Sequence, residues 1–529
     1  MDERATVAGQ VLDVARGHGA GTVFGLPGVH NLAFWNAGAA PLVVRHEQAA
    51  VYAADGWART TGRLGAAVVT TGPGAANAVA AFGEAAAARS PVLLVASEIP
   101  QTLRRAGRVR GVLHESRDQA ALFAPLAKAV FTPRTPAEVA AVAGRAAETA
   151  LAHPRGPVYL DVPADVLGQP AAPTPSPSAP SDVPVTGLDD AAAVLSGARV
   201  VLWAGGDAAD HADAVAALAT RLGAPVVASF RGRGVPPTAH PAAVGLPPHE
   251  PEPAALIAAA DVLLAVGGDL DGMNTRNWTM PRPAGLVVVE AAPPPDPPEW
   301  APDATVTGPL DAALAGLAAR VPAAPAWAPT GMRATVLDRL RRDPATADAL
   351  HLLDAVEHAR TADTVLVCDM AVAGYWVGGY ASAPGPRRLA YPVGWGTLGF
   401  GLPAALGAAA AGHPVIAVCG DGGLMMALGE LATLVQERLP VTVLVVDDGG
   451  YGMLRYDQRR AGHPERGVDL VTPDLPALAA AFGLAATAVG STAELRAPLA
   501  AAVASGAPHL VRVPAALTPP RTTSPRWAE

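Results

Sequence analysis

The segment Val415 to Arg455, VIAVCGDGGLMMALGELATLVQERLPVTVLVVDDGGYGMLR, carries carboxylates at a spacing suited to metal chemistry. An apolar strand ends in Gly420-Asp421-Gly422, a helix is expected from about Leu424 to Arg438, and a second apolar strand runs to Asp447-Asp448-Gly449-Gly450. One βαβ unit of this kind carries Asp421 and Asp448 past the same edge of a parallel sheet. Hard oxygen donors without histidine or cysteine suit Mg²⁺ or Ca²⁺, and Mg²⁺ commonly completes its octahedron with phosphate oxygens and water. The glycines allow close backbone approach, and the amides that open the helix can face a phosphate. The physical reading is a metal-bridged diphosphate site. The alternative for the same residues is that Asp421 caps the helix and Asp448 sits in a glycine-rich turn.

Such a unit needs a parallel sheet to position it, and the chain supplies three candidate sheets. Short β-branched runs alternate with alanine-rich stretches at Leu42–Arg45, Ala66–Thr70, Val92–Ala96 and Val158–Val162. They recur at Val200–Trp203, Pro225–Ala228, Val262–Val266 and Leu286–Val289, then at Thr364–Cys368, Val415–Cys419, Val441–Val446 and Leu510–Val513. This alternation marks α/β domains with doubly wound parallel sheets. Two proline-rich stretches, Gln169–Pro184 and Val321–Thr330, read as linkers, so the expected domains are 1–168, 185–320 and 331–529. A chain of 529 residues fits three domains at roughly 150 residues each.

Composition removes several function classes. Hydrophobic residues are 50% and charged residues 16%, yet no apolar run reaches the ~20 residues of a membrane helix, so a soluble protein is expected. A net charge of -9 and the lack of a basic stripe argue against nucleic acid as a partner. Cys368 and Cys419 lie in apolar strand-like runs, which suits reduced core thiols and a cytoplasmic location. Val7, Val11, Leu12 and Ala15 follow Asp2, Glu3 and Arg4 at helical spacing, without the pattern of a signal peptide.

The Gly420-Asp421-Gly422 segment, followed after about 25 residues by a polar pair, resembles the signature of the thiamine-diphosphate-dependent enzymes, with Asp447-Asp448 in place of the usual two asparagines. The resemblance implies a pyrimidine-binding, a central and a diphosphate-binding domain, in that order. It implies Mg²⁺ held by Asp421, Asp448 and the Gly450 carbonyl, with Gly420, Gly422, Gly423, Tyr451, Gly452 and Met453 around the cofactor. Arg45-His46-Glu47-Gln48 resembles the family segment whose glutamate contacts N1′ of the aminopyrimidine. A carboxyl group is needed there because protonating N1′ favours the imino tautomer, which takes the C2 proton and yields the ylid. Thr70 to Asn77, with Gly72, Pro73 and Asn77, resembles the loop packed near the pyrimidine of a cofactor held by a partner subunit. A homodimer or dimer of dimers with shared active sites is therefore expected.

Tyr391 to Ala405 is similar to a glycine-rich segment of acetolactate synthases. By that likeness the Gly396 carbonyl accepts from the 4′-amino group, and Leu398 holds the cofactor bent. Phe24 to Gly28 resembles segments of acetolactate synthases and benzoylformate decarboxylase, placing Leu26, Pro27 and Gly28 at the substrate pocket. His114 falls where acetolactate synthases and benzaldehyde lyase carry glutamine, and is the candidate to exchange a proton with a substrate oxygen. Leu454 adds apolar wall; core packing is the alternative for it, Tyr451 and Met453.

The implied activity is decarboxylation of a 2-oxo acid with carboligation, through an enamine that adds to a second carbonyl. The alternatives are a simple 2-oxo acid decarboxylase or a benzaldehyde-lyase-like C–C lyase acting on a 2-hydroxy ketone. A third reading is a non-catalytic relative that binds a nucleotide or partner through the central block; Glu47 argues against it, since cofactor binding alone scarcely requires that carboxylate. That block resembles the FAD-holding domain of acetolactate synthases, but Asp269 stands where those show arginine and Pro247-Pro248-His249-Glu250 replaces a glycine-rich turn. FAD is therefore disfavoured.

Overall fold

The computed structural model describes residues 6–38, 40–105, 107–173, 183–268, 270–294 and 296–521. Asp2, Glu3, Arg4, Asp269 and much of the first proline-rich stretch lie outside them. Thr6 caps a helix over Val7–Gly17, and Val7, Val11, Leu12 and Ala15 form its buried face.

Each sheet is wholly parallel, as the alternation of apolar strands and helices requires. The first comprises β1 (Val23–Gly25), β2 (Leu42–Val43), β3 (Gly65–Val69), β4 (Val92–Glu98), β5 (Ala129–Phe131) and β6 (Val158–Pro163), in the order β2-β1-β3-β4-β6-β5. The second comprises β7 (Val200–Ala204), β8 (Val226–Ala228), β9 (Val262–Val266), β10 (Gly285–Glu290) and β11 (Ala304–Thr307), in the order β11-β10-β9-β7-β8. The third comprises β12 (Val365–Cys368), β13 (Leu389–Ala390), β14 (Val415–Gly420), β15 (Val441–Asp447), β16 (Ala485–Ala488) and β17 (His509–Pro514), in the order β13-β12-β14-β15-β17-β16. The first and third sheets thus share one winding pattern. Every strand run read from the sequence falls on a strand. The strands it passed over, β1, β5, β11, β13 and β16, are short, and all but β1 are sheet edges whose half-exposed residues lack a continuous apolar run.

Apolar layers lie on both faces of every sheet. Two are shared: one joins the first sheet to the third, the other the second sheet to the third. The third sheet is therefore the middle of the molecule. Its contact with the first is made by helix Glu47–Thr61 lying on helix Gly401–Ala410. A Cβ on Gly56 would stand 2.0 Å from the Ala404 carbonyl oxygen, and one on Gly407 1.9 Å from that of Ala53, so only glycine permits this approach. Beside it the buried Arg59 guanidinium bonds Asp55 at 2.6 Å, Glu84 at 2.9 Å and the Tyr391 carbonyl at 2.9 Å, while Thr397 donates to Glu84 at 2.7 Å.

The helix expected over Leu424–Arg438 is instead two helices, Asp421–Met426 and Glu430–Glu437. The break is made by a contact from another domain: the Arg45 amide donates to Glu430 at 2.9 Å, and Arg45 Cβ lies 3.3 Å from where a Gly429 Cβ would be. The stretch Val321–Thr330 has no regular element, as a linker should, but it is pinned by Trp327 Nε1 donating to the Val200 carbonyl at 2.9 Å. Cys368 and Cys419 are buried and unpaired. Among the described residues no helix is long and apolar enough to cross a membrane.

Gly407→Ala should lower stability by about 1–3 kcal/mol, because its methyl meets backbone that cannot move aside. Urea denaturation should show a lower midpoint; an unchanged midpoint would mean that the two helices do not set the contact.

Candidate functional site

In open parallel sheets, ligands sit beyond strand carboxyl ends where neighbouring connections leave in opposite directions. In the third sheet that place is between β12 and β14. A cleft with a cavity volume of about 150 Å³ opens there, lined by Met370 and Tyr375 after β12, Gly420, Asp421, Gly422 and Gly423 after β14, and Asp448 to Leu454 except Gly449 after β15; Leu398 also reaches it. Gly396 is not among the lining residues, but it adopts φ +77°, and a Cβ on it would lie 3.4 Å from the terminal methyl of Met370.

Asp421 is the first residue of its helix, which Gly420 precedes as N-cap; its Oδ2 accepts from the Thr472 hydroxyl at 2.9 Å. Burial raises its carboxyl above the usual carboxylate range. Burial and then the charge of Asp421 push Asp448 up to about 6. Asp448 Oδ1 is shielded from solvent and has no hydrogen-bond partner, the Arg455 guanidinium standing off at 3.8 Å. Asp447 faces the other way, its Oδ2 bonded by Arg512 at 2.9 and 2.7 Å. Of the acidic pair, only Asp448 lines the cleft.

Two facing carboxylates with an unmatched buried oxygen, beside the Gly450 carbonyl, fit a divalent cation that takes its remaining ligands from phosphate and water. Among the described residues no group of three or more His, Cys, Asp or Glu side chains converges as a metal site. A cation here therefore depends on ligands from outside the side chains.

The second group of candidates gathers at the equivalent place in the first sheet, between β1 and β3. Glu47 opens helix Glu47–Thr61, is 8% exposed, and accepts from Asn77 Nδ2 at 3.0 Å. Its Oε1 lies 3.2 Å from where a Gly74 Cβ would be. Gly72 adopts φ +67° and ψ -114° before Pro73 begins helix Pro73–Ala87, and a Cβ there would stand 2.6 Å from the His114 carbonyl oxygen. Gly28 packs on Thr70, Leu26 leans on the core, and Pro27 is exposed. No first-sheet residue lines the cleft of the third sheet.

Three side chains at these places were not singled out from sequence. Gln119 is buried; it accepts from the Gly72 amide and the Thr71 hydroxyl and donates to the Ser97 carbonyl and Tyr159, fixing the Gly72 loop. Nothing in its neighbourhood signals this. Asp369 follows β12, accepts from the Gly399 amide, and is pushed up to about 6 by burial. The acid ending an apolar strand run, as in β14 and β15, was its available signal. Thr472 is positioned by tertiary folding alone.

In the central domain the glycine-rich ends of β7 and β9 pack on each other, with a Gly205 Cβ reaching 2.3 Å from Gly268 Cα. Glu250 bonds Tyr380 at 2.8 Å and pairs with Arg339, so that turn anchors the third domain.

Residues 5–122, 188–316 and 369–513 match the N-terminal TPP binding, central and C-terminal TPP binding domains of thiamine pyrophosphate enzymes. The chain is 33% identical to the probable 2-ketoarginine decarboxylase AruI of Pseudomonas aeruginosa, over 91% of this chain and 89% of that protein. It is 28% identical to the acetolactate synthase large subunit of Parasynechococcus marenigrum, over 96% and 87%. The solved thiamine diphosphate-dependent 4-hydroxybenzoylformate decarboxylase of Rhodococcus jostii superposes with a TM-score of 0.78 at 25% identity, covering 97% of this chain and 100% of that one.

Because the folded-state value of Asp448 lies above that of a free carboxyl, its charge costs stability above about pH 6, and the cost fades toward the unfolded value near ~4. Asp448→Asn should raise the thermal midpoint of the metal-free protein at pH 7.5 by about 2–4 °C. The gain should shrink as pH falls through that range; a gain independent of pH in calorimetry would refute the assignment.

Proposed function

This chain belongs to the thiamine-diphosphate-dependent enzymes, and from that premise we propose that it uses thiamine diphosphate with Mg²⁺ to decarboxylate a 2-oxo acid and join the remaining fragment to a second carbonyl. The observation that carries the reading is the cleft where Asp421 faces Asp448 and a shielded Asp448 oxygen lacks a partner. Asp421, Asp448 and the Gly450 carbonyl would hold Mg²⁺. The backbone at Gly422, Gly423, Gly452 and Met453 would take the diphosphate. Bound thiamine diphosphate supplies a carbon nucleophile and an electron sink for the carbon that loses CO₂.

Glu47 is proposed to hold the proton at N1′ of the aminopyrimidine. Asn77 occupies one of its oxygens and leaves the other toward Gly74. Burial suits that role, since a carboxyl shielded from water exchanges its proton with a bound ring rather than with solvent. Leu398, Met370, Met453 and Leu454 give an apolar wall that would keep water from the reacting carbon.

Glu47 and the cleft lie on different sheets, so we propose that the first sheet of a second copy closes each cleft. The exposure of Val29 (65%), Leu113 (61%), Met426 (55%) and Leu454 (53%) around the two groups supports a covering partner. FAD forms no part of the proposal. Simple decarboxylation, in which the remaining fragment takes a proton, is the second reading, favoured by the likeness to two proteins named as decarboxylases.

Glu47→Gln should retain thiamine diphosphate by calorimetry while C2 hydrogen–deuterium exchange slows by about 10²–10⁴-fold; undiminished exchange would remove Glu47 from the chemistry. A panel of 2-oxo acids with thiamine diphosphate and Mg²⁺, read by mass spectrometry, should yield 2-hydroxy ketone or acetohydroxy acid products. Aldehyde alone would select simple decarboxylation.

A further inference from the structure

Glu47 stands at one end of the Gly72–Gly74 loop, and the long connection after β4 stands at the other, with its His114 carbonyl against Gly72. Gln119 fastens that connection by accepting from the Gly72 amide at 2.6 Å, and the His114 ring meets the His30 ring edge to face with centroids 5.3 Å apart. The chain from Ile99 to Gln119 is thus held against the crevice that contains Glu47. Its charge is unlike that of the whole protein. Five arginines, Arg104, Arg105, Arg108, Arg110 and Arg117, stand against two acids, Glu115 and Asp118, a net of +3 in a chain of net charge -9.

The acids of this connection are spent on its own backbone. Glu115 Oε2 accepts from the Arg110 and Val112 amides at 2.7 and 3.1 Å, and Asp118 Oδ1 accepts from the Ala121 amide at 3.1 Å. Glu98, at the end of β4, takes Arg104 at 3.0 Å. Among the described residues the other guanidiniums are exposed and have no carboxylate partner. Arg105 bonds the Thr102 and Arg104 carbonyls and Arg110 the Leu103 carbonyl, while the Arg108 and Arg117 side chains bond none of the described residues. A tight turn presents Arg108, whose amide donates to the Arg105 carbonyl at 3.1 Å just after Gly107 at φ +71°.

Like charges gathered on one loop repel one another, and the field they make draws anions. The cleft of the third sheet offers no cation of its own, since neither Lys, Arg nor His lines it. Every 2-oxo acid brings one carboxylate, but on decarboxylation that group leaves as CO₂. A cation holding it stabilises the starting state more than the transition state, from which its charge is draining. Fixed cations are better matched to a group whose charge survives the reaction. We propose that this arginine loop selects 2-oxo acids that carry a second anionic group at the end remote from the reacting carbonyl, with Arg108 and Arg117 pairing with that group. The inference rests on the reading that each cleft turns over a 2-oxo acid and is closed by the first sheet of a second copy. Exposed Val109 and Leu113 lie among the arginines, so the loop offers apolar surface to the stem of such a substrate as well as charge to its end.

The test uses holoenzyme with thiamine diphosphate and Mg²⁺, as wild type, Arg108→Gln, Arg117→Gln, the double variant and the conservative Arg117→Lys. The turnover probes differ at the remote end: 2-oxoglutarate is anionic, 2-oxopentanoate neutral and 5-guanidino-2-oxopentanoate cationic, while 4-phosphono-2-oxobutanoate separates preference for phosphonate from preference for carboxylate. In wild type kcat/KM should be about 10-fold or more higher for one of the dianions than for 2-oxopentanoate, and lowest for the guanidino acid. The ratio of dianion to neutral acid should fall about 10-fold in the double variant, through KM rather than kcat, and Arg117→Lys should keep most of it. Raising NaCl from about 0.05 to 0.5 M should lower the wild-type ratio several-fold. Two measurements need no turnover: C2 hydrogen–deuterium exchange on bound thiamine diphosphate, and calorimetric titration with glutarate, which has no keto group. C2 exchange without preference for either dianion, or a preference that survives the double variant, overturns the role of the loop and leaves the functional reading standing. If C2 does not exchange and no probe is turned over, the functional reading fails. Glutarate then decides the inference: affinity lowered about 5-fold or more in the double variant supports the anion site, and equal affinity overturns it.

Discussion

Helix Glu47–Thr61 lies backbone to backbone on helix Gly401–Ala410, and the positions of the reactive groups follow from that contact. Gly56 and Gly407 remove the side chains that would hold the helices apart. Next to them Arg59 is buried with Asp55 and Glu84, an arrangement that tolerates no partial version: removing one member of a buried pair leaves an uncompensated charge, at about 3–5 kcal/mol. Glu47 begins the first helix, while Leu398 and Gly399 lead into the second. One interface therefore fixes the carboxyl group of the first sheet relative to the loop that reaches the cleft of the third.

The two functional groups sit at the same topological place in two sheets of the same winding order. Connections that leave in opposite directions open a crevice there, and backbone amides and strand-end side chains face it. The third sheet fills its crevice with carboxylates whose charge is disfavoured by burial and by mutual repulsion. The first fills its crevice with Glu47, Thr70, His30 and His114. In the proposed reading the carboxylates of the third sheet would hold a cation and its anionic ligand, and Glu47 of the first sheet would hold a proton. Their separation within one chain gives a physical motive for a second copy.

Charge placement explains how an acidic pair is accommodated where the signature that the segment resembles has two asparagines. Asp447 turns outward to Arg512, so a single carboxylate of the pair, Asp448, lines the cleft. The unusual sequence feature is thereby reduced to one added ligand charge. The central domain uses its glycines and its Glu250 turn for packing and anchoring.

The sequence alone determined three parallel-sheet units, most of their strands, and the residue types that end them, because burial on both faces demands continuous apolar runs and the acids and glycines that follow such runs stand out. It singled out Asp421 and Asp448, which the fold brings to one cleft, and Glu47 and the Gly72 loop, which it brings together at another sheet. Edge strands such as β13 and β16 escaped it, since half-exposed residues carry no distinct period. Only tertiary structure decided that the helix after Asp421 breaks to receive Arg45, that Asp447 faces Arg512, that Gln119 secures Gly72, and that His30 meets His114. Each of these joins residues far apart in the chain through contacts whose partners local pattern does not specify.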